Sequence, residues 1–147
     1  MKISFTIAIP KADELSLCLD LSPDGMIEKA TLTGVGGPDL LKTLAEWRPK
    51  IRGPLSALPL PEGRSTGDLL LREIILQCQS RREHPYKEEE ICHCRAVPTA
   101  VVESAILLGA HTPETVSRWT SASTSCGTCR RDVESILDVR IPGRKAG

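Results

Sequence analysis

Apolar and polar residues alternate along the start of the chain, in the pattern of β-strands that bury one face. Residues 3–9 alternate in this way, and residues 15–21 repeat the pattern with a leucine at every second position and Cys18 on the polar side. The Ser-Pro-Asp-Gly sequence at residues 22–25 is typical of a type I turn. Residues 26–33 follow as a third strand. The pattern predicts a three-stranded antiparallel sheet.

Helical signals follow the predicted sheet. Pro38 opens a helix that we expect to end near Trp47, and a proline-rich loop spans residues 52–63. Ser65, with an aspartate three residues later, has the spacing of a helix cap. The helix that it opens carries a wide apolar face as far as Cys78, which suits it to covering one side of the sheet. Strands and helices together predict an α+β N-terminal domain.

In the second half of the chain, a polar stretch is followed by apolar residues at helical spacing. Residues 81–90 are almost entirely polar and predict a charged linker. Beyond it, apolar residues recur in three short helices, one with Pro98 as its first residue, one capped by Thr112 and one beginning near residues 126–129. The predicted organisation is an α+β domain at 1–80, the linker at 81–90, a small all-α domain at 91–141 and a tail at 142–147.

Composition narrows the classes of function. The chain has 147 residues, 40% of them hydrophobic, and its 19 basic side chains equal its 19 acidic ones. With no basic excess and only 3% aromatic residues, we expect no nucleic-acid interface. No apolar run has membrane-spanning length and no signal peptide is recognisable, so we expect a cytoplasmic protein. There is no catalytic triad, carboxylate pair or phosphate-binding loop, and we expect no enzyme activity.

Four of the six cysteines form two close pairs. Cys92 and Cys94 are separated from Cys126 and Cys129 by 31 residues. In a reducing compartment, clustered cysteines are better explained by metal or redox chemistry than by disulfide bonds. Four thiolates in a tetrahedral set select zinc or an iron–sulfur centre. Such a centre would also stabilise a domain whose three short helices supply only a thin core.

The cysteine pairs belong to a longer signature. Residues 91–137 read ICHCRAVPTAVVESAILLGAHTPETVSRWTSASTSCGTCRRDVESIL, with a Gly109-Ala110-x-Thr112 link and a Ser-Cys-Gly-x-Cys motif that ends at Cys129. This signature resembles the small [2Fe–2S] domain of bacterioferritin-associated ferredoxin, which also occurs in the middle of the NifU scaffold protein and in some nitrite reductases. The resemblance implies a helix–turn–helix fold and one [2Fe–2S] cluster. The implied ligands are Cys92, Cys94, Cys126 and Cys129.

One position departs from the pattern of that family. Relatives often have threonine followed by an acidic residue or serine where this chain has Pro98-Thr99. We expect the departure to alter the cap of the first helix and to leave the ligands untouched.

The N-terminal region is similar, more faintly, to the IscU-type scaffold domain that precedes the ferredoxin domain in NifU. The shared features are the order of three strands followed by helices and the sequence DGMIEKA at residues 24–30. That scaffold needs three cysteines, and here only Cys78 is placed to match one of them. We therefore interpret the region as a degenerate, structural or partner-binding version. Relatives of the NifU type form homodimers, which makes a homodimer one expectation for this chain.

Other residues near the ligands and in the core have expected roles. We expect His93 to lie beside the ligands without coordinating, and Trp47 and Trp119 to be packing anchors. Three arginines flank the ligands and would either offset the net charge of minus two of an oxidised cluster or be ordinary solvated side chains. These are Arg95, Arg130 and Arg131.

The function predicted from these observations is that of a [2Fe–2S] protein. It would act in electron transfer or in iron–sulfur cluster assembly, with a protein as its redox or assembly partner. Two alternatives belong to other classes of function. One is a zinc-stapled protein-interaction module, and the other is a redox sensor that uses the cluster or the thiols.

Overall fold

The computed structural model describes residues 1–92, 95–122 and 130–144. The chain forms two compact units, Met1–Arg82 and Glu83–Gly147. Among the helices of the described residues, none has both the length and the apolar character needed to cross a membrane.

The first unit is built on an antiparallel sheet. β1 (Lys2–Ala8), β2 (Glu14–Leu21) and β3 (Met26–Val35) form the predicted meander, in which each strand pairs with the next. A fourth strand, β4 (Gly53–Pro54), pairs with the start of β3 and extends the sheet at that edge. Its two residues are too few to show an alternating pattern, which is why the sequence does not indicate it.

Two helices cover one face of this sheet, and both begin where the sequence predicts. α1 (Pro38–Trp47) has its proline at the first turn and is followed by a short 3₁₀ turn that contains Pro49. α2 (Thr66–Cys78) is capped by Ser65, whose Oγ accepts a hydrogen bond from the Asp68 N–H at 3.2 Å. The predicted α+β class of the N-terminal region is confirmed.

The core of the first unit lies between β2 and the two helices. The leucines at every second position of β2 are buried, as their alternation predicts. α1 and α2 approach closely at Gly67, where an added Cβ would lie 2.5 Å from Thr43 Oγ1. The apolar residues with at most 1% exposure in this core are Leu15, Leu17, Leu19, Leu40, Leu69, Leu70, Leu71, Ile74 and Ile75.

The opposite face of the sheet is polar. Thr6 and Ser16 form a hydroxyl–hydroxyl hydrogen bond of 2.8 Å across β1 and β2. One row further along, Ser4 Oγ lies 3.1 Å from Cys18 Sγ. Cys18 is exposed, as the alternation of β2 predicts.

A fully buried carboxylate lies on α2. Glu73 has no exposed surface, and its two oxygens each accept a hydrogen bond of 3.1 Å, one from Arg72 and one from Arg82. A buried charge is tolerated only with such partners. Arg82, the last residue of the first unit, is thus bound to the core helix α2.

The described residues of the second unit form three α-helices and two short strands. β5 (Glu90–Cys92) and β6 (Val97–Pro98) pair antiparallel, and α3 (Thr99–Leu108) follows directly. α4 (Pro113–Thr120) and α5 (Arg130–Arg140) complete it. The helices confirm the predicted pattern, and the two strands, which are too short to show a period, add to it.

Local sequence signals predict the ends of α3 and α4, and one of these ends differs from the prediction. Thr112 caps α4 as predicted, because its Oγ1 accepts a hydrogen bond from the Thr115 N–H at 3.1 Å. Gly109 ends α3 with a φ of 130°, which favours glycine. Pro98 precedes the first residue of α3, whereas the sequence predicted it as that residue.

The core of the second unit is formed by the apolar faces of its three helices. One expected member is absent: Trp119 is 54% exposed and does not act as a packing anchor, whereas Trp47 of the first unit is buried as predicted. Val116, one turn earlier in α4, is fully buried, so the buried face of α4 includes Val116 and leaves more than half of Trp119 exposed. The buried residues of the helices include Val102, Ile106, Val116, Val133, Ile136 and Leu137.

Candidate metal centre

One of the four predicted ligands lies within the described residues. Cys92 is the last residue of β5, and it is only 2% exposed. Cys94, Cys126 and Cys129, together with His93, fall outside the described residues. Within the described ranges, no group of three or more histidine, cysteine, aspartate or glutamate side chains is placed to hold a metal ion.

Cys92 is held at the base of a hairpin. It pairs with Val97 of β6, so residues 93–96, which include the second predicted ligand, join the two strands. Val97 is itself buried, at 5% exposure. A buried thiol with no metal behaves as a small apolar group, whereas a buried thiolate needs a cation to offset its charge.

The second cysteine pair lies between two helices in the sequence. α4 ends at Thr120, whose Oγ1 donates to the Val116 carbonyl at 2.7 Å and accepts from the Ala122 N–H at 3.2 Å. α5 begins at Arg130, directly after Cys129. The first turn of a helix carries unsatisfied N–H groups and the positive end of the dipole, both of which lower the pKa of a nearby thiol. The donor set therefore fits a metal that is bound through thiolates.

Thr99 connects α3 to the chain that leads into Cys92. Its hydroxyl donates to the Glu88 carbonyl at 2.6 Å, and its N–H donates to the Glu89 carbonyl at 2.7 Å. The sequence-based expectation that Pro98-Thr99 concerns only the helix cap is therefore too narrow, because Thr99 also holds residues close to a predicted ligand.

Arg130, expected near the ligands as a charge-offsetting group, is already paired. Its Nη2 lies 2.8 Å from Glu114 Oε1, and its Nε lies 3.0 Å from Glu134 Oε1. The hydrogen bond from Arg130 lowers the pKa of Glu114, and the same bond raises the pKa of Arg130. Arg130 keeps its positive charge, but with its two carboxylate partners it forms a group of net charge minus one, which would not offset the charge of a cluster. Arg95 and Arg131 are exposed.

Arg140 is an important structural residue of the second unit that was not predicted from the sequence. Its side chain is 1% exposed and makes a two-pronged contact with Glu103, Nε to Oε2 at 2.9 Å and Nη2 to Oε1 at 3.2 Å. Its Nη1 donates to the Glu83 carbonyl at 2.7 Å. A signal was present, because Arg140 follows Val133 and Ile136 at the spacing of the apolar face of α5.

The two lone cysteines of the first unit have different surroundings. Cys18 is exposed on the open face of the sheet, and Cys78 is buried at the end of α2, which covers the other face. Burial raises the pKa of the Cys78 thiol to about 11. Cys78 borders a cavity of about 370 Å³ that is lined by Asp24, Gly25, Leu55, Ser56, Cys78, Gln79, Ser80 and Arg81. Because they lie on opposite faces, Cys18 and Cys78 do not form a common metal site.

One protein-family model matches part of the second unit. Residues 90–139 match the family model described as the BFD-like [2Fe–2S] binding domain. The match covers about a third of the chain, includes both cysteine pairs, and confirms the resemblance found in the sequence. No curated protein and no solved structure matches the chain. The resemblance of the N-terminal region to an IscU-type scaffold stays a prediction.

Proposed function

We propose that this iron–sulfur protein, which carries a BFD-like [2Fe–2S] binding domain at residues 90–139, transfers single electrons to or from a partner protein. Cys92, Cys94, Cys126 and Cys129 would hold the cluster, which supplies a one-electron redox couple when bound. The observation that carries the proposal is the family match across both cysteine pairs. The burial of Cys92 at the end of a strand supports it.

The residues of the second unit suit it to keeping a cluster. Cys92 lies in a position from which water is largely excluded, at 2% exposure, and Cys129 directly precedes an 11-residue helix. Exclusion of water and hydrogen bonds to sulfur are the main means by which a protein sets the potential of such a centre. Thiolate ligands also persist best in a reducing compartment, which favours the cytoplasm as the proposed location.

Electron transfer is favoured over cluster assembly by the cysteines of the first unit. Building a cluster on that unit would require several thiolates at one point. Its only two cysteines, Cys18 and Cys78, lie on opposite faces of the sheet, and the Cys78 thiol is held protonated by burial. We therefore propose that the first unit binds the partner or a second copy of the chain and that the protein has no enzyme activity.

The first experiment is a visible absorption spectrum with iron, sulfide and zinc analysis on the full chain purified without oxygen. We expect a red-brown protein with two irons and two sulfides per chain that is bleached by dithionite. One zinc per chain and no colour would instead support the interaction module. Reversible disulfides with no metal would support the thiol sensor.

The ligand assignment is tested by single substitutions. Cys126→Ser or Cys129→Ser should abolish retention of the cluster, because serine is a poor ligand for iron in these centres. Cys18→Ser is the matched control, since it removes a thiol from the exposed sheet face and should leave the cluster content unchanged. A full cluster in Cys126→Ser would contradict the assignment.

A further inference from the structure

Residues 83–92, which we call the lead-in segment, join the start of the second unit to Cys92. Residues 83–89 have no helix or strand of their own, and all their side chains except that of Tyr86 are exposed. A segment with so few buried contacts opens easily unless specific bonds hold it. The position of Cys92 therefore depends on the groups that tie this segment to the helices.

Thr99 holds the lead-in segment at two successive carbonyls. The Thr99 hydroxyl donates to Glu88 O at 2.6 Å, and the Thr99 N–H donates to Glu89 O at 2.7 Å. The N–H of a first helical residue has no acceptor within its helix, and Pro98 contributes no side-chain cap. The same bonds therefore complete the start of α3 and fix the chain three and four residues before Cys92.

Tyr86 holds the lead-in segment at a carbonyl that is closer to Cys92. Its hydroxyl lies 2.7 Å from Glu90 O and 3.2 Å from Glu88 Oε2. The hydroxyl has one hydrogen to donate, and the shorter distance favours the Glu90 carbonyl. Glu90 is the first residue of β5, two residues before Cys92.

Arg140 anchors the other end of the segment. Its Nη1 donates to Glu83 O at 2.7 Å, and its guanidinium is fixed by the two-pronged contact with Glu103. This anchor lies nine residues before Cys92, so its influence on the cysteine passes through the whole segment. Thr99 and Tyr86 act on the part that adjoins the ligand.

We propose that Thr99 and Tyr86 are positioning residues of the cluster, which keep Cys92 in place by holding the carbonyls of residues 88–90. The inference rests on the proposed function, because it takes Cys92 as a ligand. A ligand whose backbone is released detaches from iron more often, which speeds loss of the cluster. It also alters the surroundings of the sulfur and with them the reduction potential.

The test uses the full chain with its cluster, purified without oxygen. Thr99→Val removes the hydroxyl and keeps the shape, Thr99→Ser keeps the hydroxyl, and Tyr86→Phe removes only the second hydroxyl. The rate of loss of visible absorbance in excess iron chelator should rise about three- to ten-fold in Thr99→Val and in Tyr86→Phe, the range given by loss of one net hydrogen bond. Thr99→Ser should behave like the natural protein. The midpoint potential should move in the two faster variants and stay unchanged in Thr99→Ser.

A matched control separates positioning from general stability. Thr112→Val likewise removes a threonine hydroxyl within the same unit, one that accepts from the Thr115 N–H at 3.1 Å, lies 2.8 Å from Thr115 Oγ1 and has no bond to the lead-in segment among the described contacts. Urea unfolding of each variant gives its loss of fold stability. We expect Thr112→Val to lower stability about as much as Thr99→Val while leaving the potential and the rate of cluster loss close to those of the natural protein.

The outcomes distinguish this inference from the proposed function. Equal cluster loss in Thr99→Val and Thr112→Val, at equal loss of stability, would show a purely structural role and overturn the inference. A natural protein with a stable cluster and unchanged kinetics in both Thr99→Val and Tyr86→Phe would also overturn it while leaving the proposed function standing. A natural protein without iron and sulfide would overturn both.

Discussion

In the first unit a leucine-lined sheet packs against a 13-residue helix whose buried face is apolar except for Glu73, whereas the described helices of the second unit have 10, 8 and 11 residues and include a buried arginine. Helices this short are marginal by themselves. A large apolar core stabilises a fold without further help, and a small one commonly depends on metal ligands. We therefore expect the first unit to keep its fold when the metal is removed and the second to lose much of its own.

Removal of the metal should give the largest difference in stability between the two units. After chelation of iron from the full chain, hydrogen exchange should show loss of protection in the amides of α3, α4 and α5, because metal binding energy is also folding energy in small metal domains. The amides of β2 and α2 should keep their protection. Unchanged protection in α5 would show that the second unit folds without its cluster.

The substitution Arg140→Met should give the next largest effect, a loss of stability in the second unit. It leaves the partly buried Glu103 without its partner and should lower the free energy of unfolding of the second unit by about 2–4 kcal/mol, measured by urea denaturation. Arg131→Met, an exposed arginine of the same helix, is the control and should change it by less than about 0.5 kcal/mol. The double variant Arg140→Met with Glu103→Met should recover much of the loss, since no charge is then left unpaired.

The rate at which the Cys78 thiol is alkylated measures how readily the core of the first unit opens. A thiol whose pKa is about 11 instead of 9.0 has about 100-fold less thiolate at pH 8, so its alkylation by iodoacetamide should be slowed at least that much. The rate should rise about tenfold per pH unit towards pH 11, because the reactive thiolate form increases with pH. Mass spectrometry of peptides measures labelling, with exposed Cys18 as the internal reference. Comparable labelling of both cysteines at pH 8 would show that the core of the first unit opens readily.

Removal of the Arg130–Glu114 ion pair should have the smallest effect on stability. Both side chains are more than half exposed, and such pairs contribute little to stability. Arg130→Gln should raise the pKa of Glu114 back towards 4.5, as followed by an NMR titration, with no resolved change in the unfolding midpoint at neutral pH. Because the folded pKa is depressed, the small contribution of the pair is present above the unfolded pKa and is lost as pH falls through the folded value. An unchanged titration of Glu114 would contradict the pairing.

Local patterns were enough to predict the strands β1 to β3, the caps at Ser65 and Thr112 and, to within a few residues, the positions of the α-helices in the described parts of the chain. Each of these depends on neighbours in sequence: the period of apolar residues, or a hydroxyl three residues before the N–H that it accepts from. The cysteine spacing likewise predicted the [2Fe–2S] binding domain that the family match supports.

Tertiary structure alone decided the features that join distant residues. Arg140 meets Glu103 across 37 positions, and Thr99 meets Glu88 across 11, so neither contact has a sequence period to reveal it. The exposure of Trp119 was decided in the same way, because a helix packs only the face that its neighbours cover. Residue types determined which chemistry is available to this protein, and packing decided which groups hold Cys92 in place, since burial and long-range hydrogen bonds exist only once the chain has folded.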